Sequence, residues 1–156
     1  MSKKNLNLVL EHIDAQIENA THRLFDFLKI PSISTDLAYK ADCIMAADWL
    51  VDDLKKIGFK VSKRETNGHP MVVAHTGTSG KHIMFYGHYD VQPVDPIELW
   101  EKAPFDPYLA PGDISDVICA RGAADDKGQL MTFVEAFMAW KAVHVNLPGK
   151  ISLFFE

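Results

Sequence analysis

Two short stretches hold side chains whose types and spacing suit metal binding or catalysis. The first, FYGHYDVQP (Phe85–Pro93), sets His88 and Asp90 two positions apart where an apolar run ends. In an extended segment residues i and i+2 point the same way, so Asp90 can accept a hydrogen bond from the His88 ring. Such a bond fixes the tautomer of an imidazole that binds a metal through its other nitrogen. The bland reading is a strand closed by two polar residues, and the pattern alone leaves both open. The carboxyl ends of strands in open α/β sheets are nevertheless where ligands bind.

The second stretch is RGAADDKGQ (Arg121–Gln129). Asp126 followed three residues later by Gln129 reads as a capping box, and the positive end of the helix to come favours both aspartates. The cap accounts for one carboxylate and leaves Asp125 unexplained. A carboxylate in a Gly-flanked turn before a helix is suited to bridge two divalent cations. Lys127 reads as a solvated or packing residue rather than a catalytic one, and Gly122 and Gly128 as residues that allow tight turns.

Positioning these groups falls to the elements around them. From Leu6 to Leu28 apolar residues recur at three-and-four spacing, which predicts an amphipathic helix with Pro31 just past its end. IPSIST is then a turn-rich link. A second helix is predicted over about Ala41–Ile57, capped by Gly58. Strands are predicted at Phe59–Arg64, Met71–His75 and His82–Gly87. The last is apolar without alternation, as in a parallel strand covered on both faces. Val91–Ile118 carries five of the eight prolines together with Trp100 and Phe105. A loop of this length is functional or disordered, and its aromatics favour order. A short strand near Val117–Ala120, a third helix over about Gln129–Val143 and a strand in KISLFFE complete the pattern. Helices alternating with strands predict an α/β fold, with a mostly parallel sheet sandwiched by helices.

Composition narrows the partners. A chain of 156 residues buries roughly 68–70% of the surface its unfolded form exposes. Its net charge of −5, scattered without runs, disfavours nucleic acid and anionic membranes as partners. No apolar run approaches the ~20 residues of a membrane helix. Asn7, Glu11 and Asp14 interrupt any signal-peptide core, so a cytoplasmic location is expected. Cys43 and Cys119 read as free buried thiols.

Taken together, FYGHYDVQP and RGAADDKG resemble the aminoacylase/carnosinase/glutamate-carboxypeptidase family of di-zinc exopeptidases, and are most similar to its bacterial dipeptidase-like branch. IPSIST after the first helix and VQPVDPIELWEKAPFDP in the loop extend the resemblance over essentially the whole chain. Two motifs in this order, with His88 and Asp125 37 residues apart, are far more specific than either alone. The resemblance implies a zinc-exopeptidase-like catalytic domain. In it His88 matches a histidine that binds one zinc, and Asp90 the catalytic-site aspartate that orients it. Asp125 matches the carboxylate that bridges both metals, and in the family the peptide bond after it tends to be cis. Two zinc ions, with cobalt or manganese as alternatives, activate a water there. A glutamate takes its proton for attack on the amide of a small peptide substrate.

The family's strand after the third helix leads into a pattern like F-E-G-x-E-E. Glu156 aligns with the first of those glutamates, so the general base and a further zinc ligand would follow beyond it. Glu156 itself reads as a strand-end carboxylate. Residues 1–156 are therefore expected to be the N-terminal part of a catalytic domain. Its C-terminal part and the lid or dimerisation domain are absent, and any homodimer would form only through that absent domain. Such a chain alone is expected to be inactive and marginally stable, with an unpaired strand and uncovered apolar faces. The reading as part of a dipeptidase competes with a non-catalytic segment that binds metal or a partner weakly, and with an N-acyl amino acid deacylase. The Pro-rich loop, with Trp100 near the mouth of the site, is more similar to the dipeptidase branch. Among the remaining histidines, His69 and His75 are the ones their chain positions place nearest the site.

Overall fold

The computed structural model describes residues 3–156. Helix α1 spans Lys3–Leu28, α2 Lys40–Ile57 and α3 Lys127–Val143. The strands are β1 (Lys60–Arg64), β2 (Met71–Thr76), β3 (His82–Gly87), β4 (Tyr108–Ala110), β5 (Val117–Cys119) and β6 (Lys150–Phe155). Single 3-10 turns occupy Leu37–Tyr39 and Ile97–Leu99. Gly58 ends α2 at φ 93°, a left-handed cap that glycine adopts without a Cβ penalty.

Four strands form one sheet in the order β1-β2-β6-β3. The α/β class holds, but two details of the sheet differ from the sequence reading. Only β3 and β6 are parallel; β1/β2 and β2/β6 are antiparallel. The reason lies in the connections. β1 and β2 are joined by the short ETNGHP link, which permits only an antiparallel hairpin, whereas α3 provides the crossover that a parallel pair needs. The second difference concerns β3. It lies at the sheet edge among the described residues, and Ile83, Met84 and Tyr86 are half exposed or more, so it is not covered on both faces.

The covered face is built by register. Val72 opposite Phe155 and Ala74 opposite Leu153 all point into the core, where they meet Leu50 and Leu54 of α2 and Leu130 and Val134 of α3. Phe85 of β3 packs between Phe133 and Phe137, with ring centroids at 4.6 and 5.3 Å. Fully buried side chains of this core such as Leu50, Leu130 and Leu153 contribute about 1.5–3 kcal/mol each. α1 packs on α3 and reaches α2 through Phe27, stacked on Trp49 at 4.5 Å. Arg23 of α1 ties all three helices together, pairing with buried Asp53 of α2 and, at 2.9 Å, with Glu135 of α3. The apolar stripe of α1 is only partly used: Phe27 and Leu28 are buried, while Leu6, Leu10 and Ile17 are exposed. The Pro-rich loop carries regular structure. It contains β4, which pairs with β5 between Pro107 and Pro111, and prolines are confined to such strand ends.

Candidate metal centre

β3 ends at Gly87, and His88 follows at the carboxyl edge of the sheet. The backbone there continues the β3/β6 ladder, with Glu156 N–H donating to Gly87 C=O and Tyr89 N–H donating to Glu156 C=O at 2.7 Å. The loop before α3 folds back over this edge. A Cβ on Gly87 would sit 3.0 Å from an Asp126 carboxylate oxygen, so glycine permits that approach. Asp126 Oδ2 then accepts the His88 backbone N–H at 3.1 Å. The peptide bond between Asp125 and Asp126 is cis.

This corrects the capping-box reading. Asp126 stands at the N-cap position but makes no capping bond, because its carboxylate is engaged with His88. The Gln129 amide donates instead to Ala124 C=O at 2.9 Å. Lys127 is a packing residue. Its side chain is fully buried, and its amine donates to the carbonyls of Phe27 and Ile30 at 3.1 and 2.6 Å. Burial pushes that amine down to about 7.

His88 sits between two carboxylates. Nδ1 faces Asp90 Oδ1 at 2.8 Å, and Nε2 faces Asp125 Oδ1 at 3.0 Å. Partial burial pulls the ring toward the neutral form, but the hydrogen bond and charge of Asp90, and then the bond to Asp125, outweigh it and raise the pKa above 6.5. Asp125 is mostly exposed, so its outer oxygen is free to reach further groups. With Nδ1 held by Asp90, Nε2 and Asp125 Oδ1 are two donors at about the spacing that one zinc ion accepts. Among the described residues no three His, Cys, Asp or Glu side chains converge on one point, so the fit to a metal is that of a partial ligand set.

A cleft of about 530 Å³ opens beside this pair, lined by Ser34, Thr66, His69, Met71, Tyr86, His88, Asp90 and Glu156. Of the two histidines placed near the site by chain position, His69 lines it. His75 does not: it lies at the opposite end of the sheet, where it and His82 both contact Ser152 Oγ, at 2.8 and 2.7 Å. The antiparallel run of β2 carries His75 away from the carboxyl edge of β3. Trp100 stays on its own loop, donating to Val94 C=O at 2.9 Å under the Arg121 guanidinium, rather than lining the cleft. Glu156 accepts from Tyr86 Oη at 2.7 Å and stands at the cleft wall. Ser34 was missed as a site residue; the turn-forming IPSIST segment gave no signal that its hydroxyl would reach Asp90.

Comparison with known proteins places this arrangement. The profile of peptidase family M20/M25/M40 matches residues 84–156. Cys-Gly metallodipeptidase dug1 of Schizosaccharomyces pombe is 30% identical over 99% of this chain. The chain belongs to peptidase family M20/M25/M40. Succinyl-diaminopimelate desuccinylase of Nitrosospira multiformis is 38% identical over 67% of the chain and 26% of its own length. Among solved structures, the dipeptidase Dug1p from Saccharomyces cerevisiae superposes with a TM-score of 0.84 at 26% identity, covering 97% of this chain and 34% of that one. The chain thus spans about a third of the length of the relatives it matches. His88, Asp90 and Asp125 all fall inside the segment matched by the M20/M25/M40 profile, whereas Ser34 and His69 lie upstream of it.

Proposed function

We propose that this chain is the N-terminal part of the catalytic domain of a zinc-dependent dipeptidase, which hydrolyses the peptide bond of small peptides. The observation that carries the reading is His88 held between Asp90 and Asp125, at 2.8 and 3.0 Å, at the mouth of a cleft wide enough for a small peptide. His88 Nε2 and Asp125 would hold the metal. Asp90 orients the imidazole and strengthens it as a ligand by accepting from Nδ1. When bound, zinc supplies a Lewis acid and a water of lowered pKa. The exposed outer oxygen of Asp125 supports a role toward a second ion, which it would hold together with the first; cobalt or manganese would suit the same donors. The glutamate that acts as general base in the family pattern is none of the site residues His88, Asp90 and Asp125, which would serve the metal rather than the proton transfer. The relatives named metallodipeptidases support the substrate class. The net charge of −5 supports a small-molecule rather than a nucleic-acid partner, and among the described residues no helix is long and apolar enough to cross a membrane.

The test is zinc titration of the purified chain by calorimetry, beside His88→Ala and Asp125→Ala. The expected result is weak binding, lost in both variants, and no hydrolysis of dipeptides by the chain itself. Binding that survives both substitutions would overturn the assignment. Cleavage of N-acyl amino acids but not dipeptides by a longer chain that includes the following glutamates would transfer the reading to a deacylase.

A further inference from the structure

Asp90 uses both oxygens of its carboxylate. Oδ1 accepts a hydrogen bond from His88 Nδ1 at 2.8 Å, and Oδ2 accepts one from the Ser34 hydroxyl. This matters because the terminal torsion of an aspartate is broad and roughly two-fold, so a single hydrogen bond to His88 leaves the carboxylate plane free to swing. A second acceptor position, filled from another element, fixes that plane. The alternative acceptor is already present: the Asp90 backbone carbonyl stands 3.2 Å from His88 Nδ1. A carboxylate that swung away would leave the ring bonded to a neutral carbonyl, a weaker partner than a charged one.

Ser34 is itself held in place from two sides. The chain before it runs beside the His88 loop: Val91 N–H donates to Ser32 C=O at 2.9 Å, Ser32 Oγ donates to Tyr89 C=O at 2.7 Å, and Ile33 bridges Val91 in parallel. On the other side, His69 Nε2 donates to Ser34 C=O at 2.9 Å. Its hydroxyl is therefore delivered to Asp90 by backbone pairing rather than by a mobile loop.

We propose that Ser34 is a positioning residue for the metal-binding histidine, acting through Asp90. The inference rests on the reading of His88 as a zinc ligand, and its test separates the two. Imidazole ¹⁵N–¹H spectra of the metal-free chain, at alkaline pH where the ring is neutral, report the His88 Nδ1–H bond directly. They are compared for the parent chain, Ser34→Ala and Ser34→Thr, with zinc titrations and unfolding curves alongside. The expected result is a slowly exchanging, downfield Nδ1 proton in the parent and in Ser34→Thr. In Ser34→Ala it shifts upfield and exchanges faster, and zinc affinity falls about tenfold, the lower end for partners one shell out from a metal, with the unfolding midpoint unchanged. An unshifted Nδ1 proton in Ser34→Ala overturns the proposal, and so does a Ser34→Thr chain as impaired as the alanine variant. A parent chain with the downfield proton but no zinc binding would refute the metal reading and leave the positioning role standing.

Discussion

Gly128 is the position where a single methyl group should do the most damage to the candidate site. It is the second residue of α3, and a Cβ built there would lie 1.8 Å from the carbonyl oxygen of Ala123. Observed Cβ contacts essentially never fall below 3.0 Å, so more than an ångström of movement is required. The obstacle is backbone, not a side chain that could rotate. The same turn is closed by the Gly128 N–H bond to Gly122 C=O at 3.1 Å. Overpacking that cannot relax costs about 3 kcal/mol. Against this, Gly128 has an ordinary helical φ, so alanine gains up to about 1 kcal/mol of helix propensity. Gly128→Ala should therefore lose about 2 kcal/mol in urea unfolding. It should also push the loop bearing Asp125 and Asp126 off the edge of β3, visible as loss of protection of the His88 amide that Asp126 accepts. If the variant is as stable as the parent, or gains the propensity increment, the close approach of Ala123 is wrong, and with it the placement of Asp125 against His88.

Three further outcomes follow from the packing. Leu153→Ala, at a fully buried site between β2 and β3, should cost about 2–5 kcal/mol, read from chemical denaturation; a loss below 1 kcal/mol would mean that this sheet face is not packed. Gly58→Ala should cost about 1 kcal/mol because φ is 93° there, while Gly68→Ala, whose Cβ would make only an ordinary contact with Thr66 Oγ1 at 3.7 Å, should be near neutral in the same assay. Cys43 is fully buried, and burial, followed by the charges of Asp90 and Asp42, pushes its thiol up to about 11. The folded chain then holds that proton between pH 9 and about 11 where the unfolded chain has lost it, so stability falls with rising pH over that window. Cys43→Ala should flatten the fall, and thiol reagents should label half-buried Cys119 first in the native chain.

The parts of the fold legible in the sequence were those governed by local rules. Helix ends at Leu28 and Ile57, the Gly58 cap, and β1 to β3 all follow from periodicity and turn chemistry, and each was placed to within two residues. Sheet order was not legible, since β6 enters between β2 and β3 only through the α3 crossover, and no local signal records that partner. The same division runs through the site. His88 and Asp90 share one strand end, so their contact could be read from spacing alone. The approach of Asp125 across the sheet edge came only through family resemblance. The fate of Asp126 shows why: one carboxylate had two competing donors, the helix amides ahead of it and the His88 amide across the loop. Sequence spacing describes only the first of these. The second became available because Gly87 lets the loop before α3 descend onto β3, which is a property of packing.

That descent also explains how two aspartates in succession divide their work. Asp126 is spent on the backbone of His88 and Lys127 on the carbonyls that end α1, so the residues after Asp125 anchor the turn on both sides. Asp125 alone projects outward, with its side chain mostly exposed and one oxygen turned to His88 Nε2. A carboxylate meant to hold a cation has to be fixed by its neighbours and left unsatisfied by them. The burial of Lys127 meets the first condition without violating the second, because its amine is turned away from the aspartates toward Phe27 and Ile30. Were Lys127 to reach Asp125 instead, the pair would satisfy each other and the donor facing His88 would be lost. The separation of these roles along three consecutive residues is the structural argument for proposing Asp125, rather than Asp126, as the metal ligand.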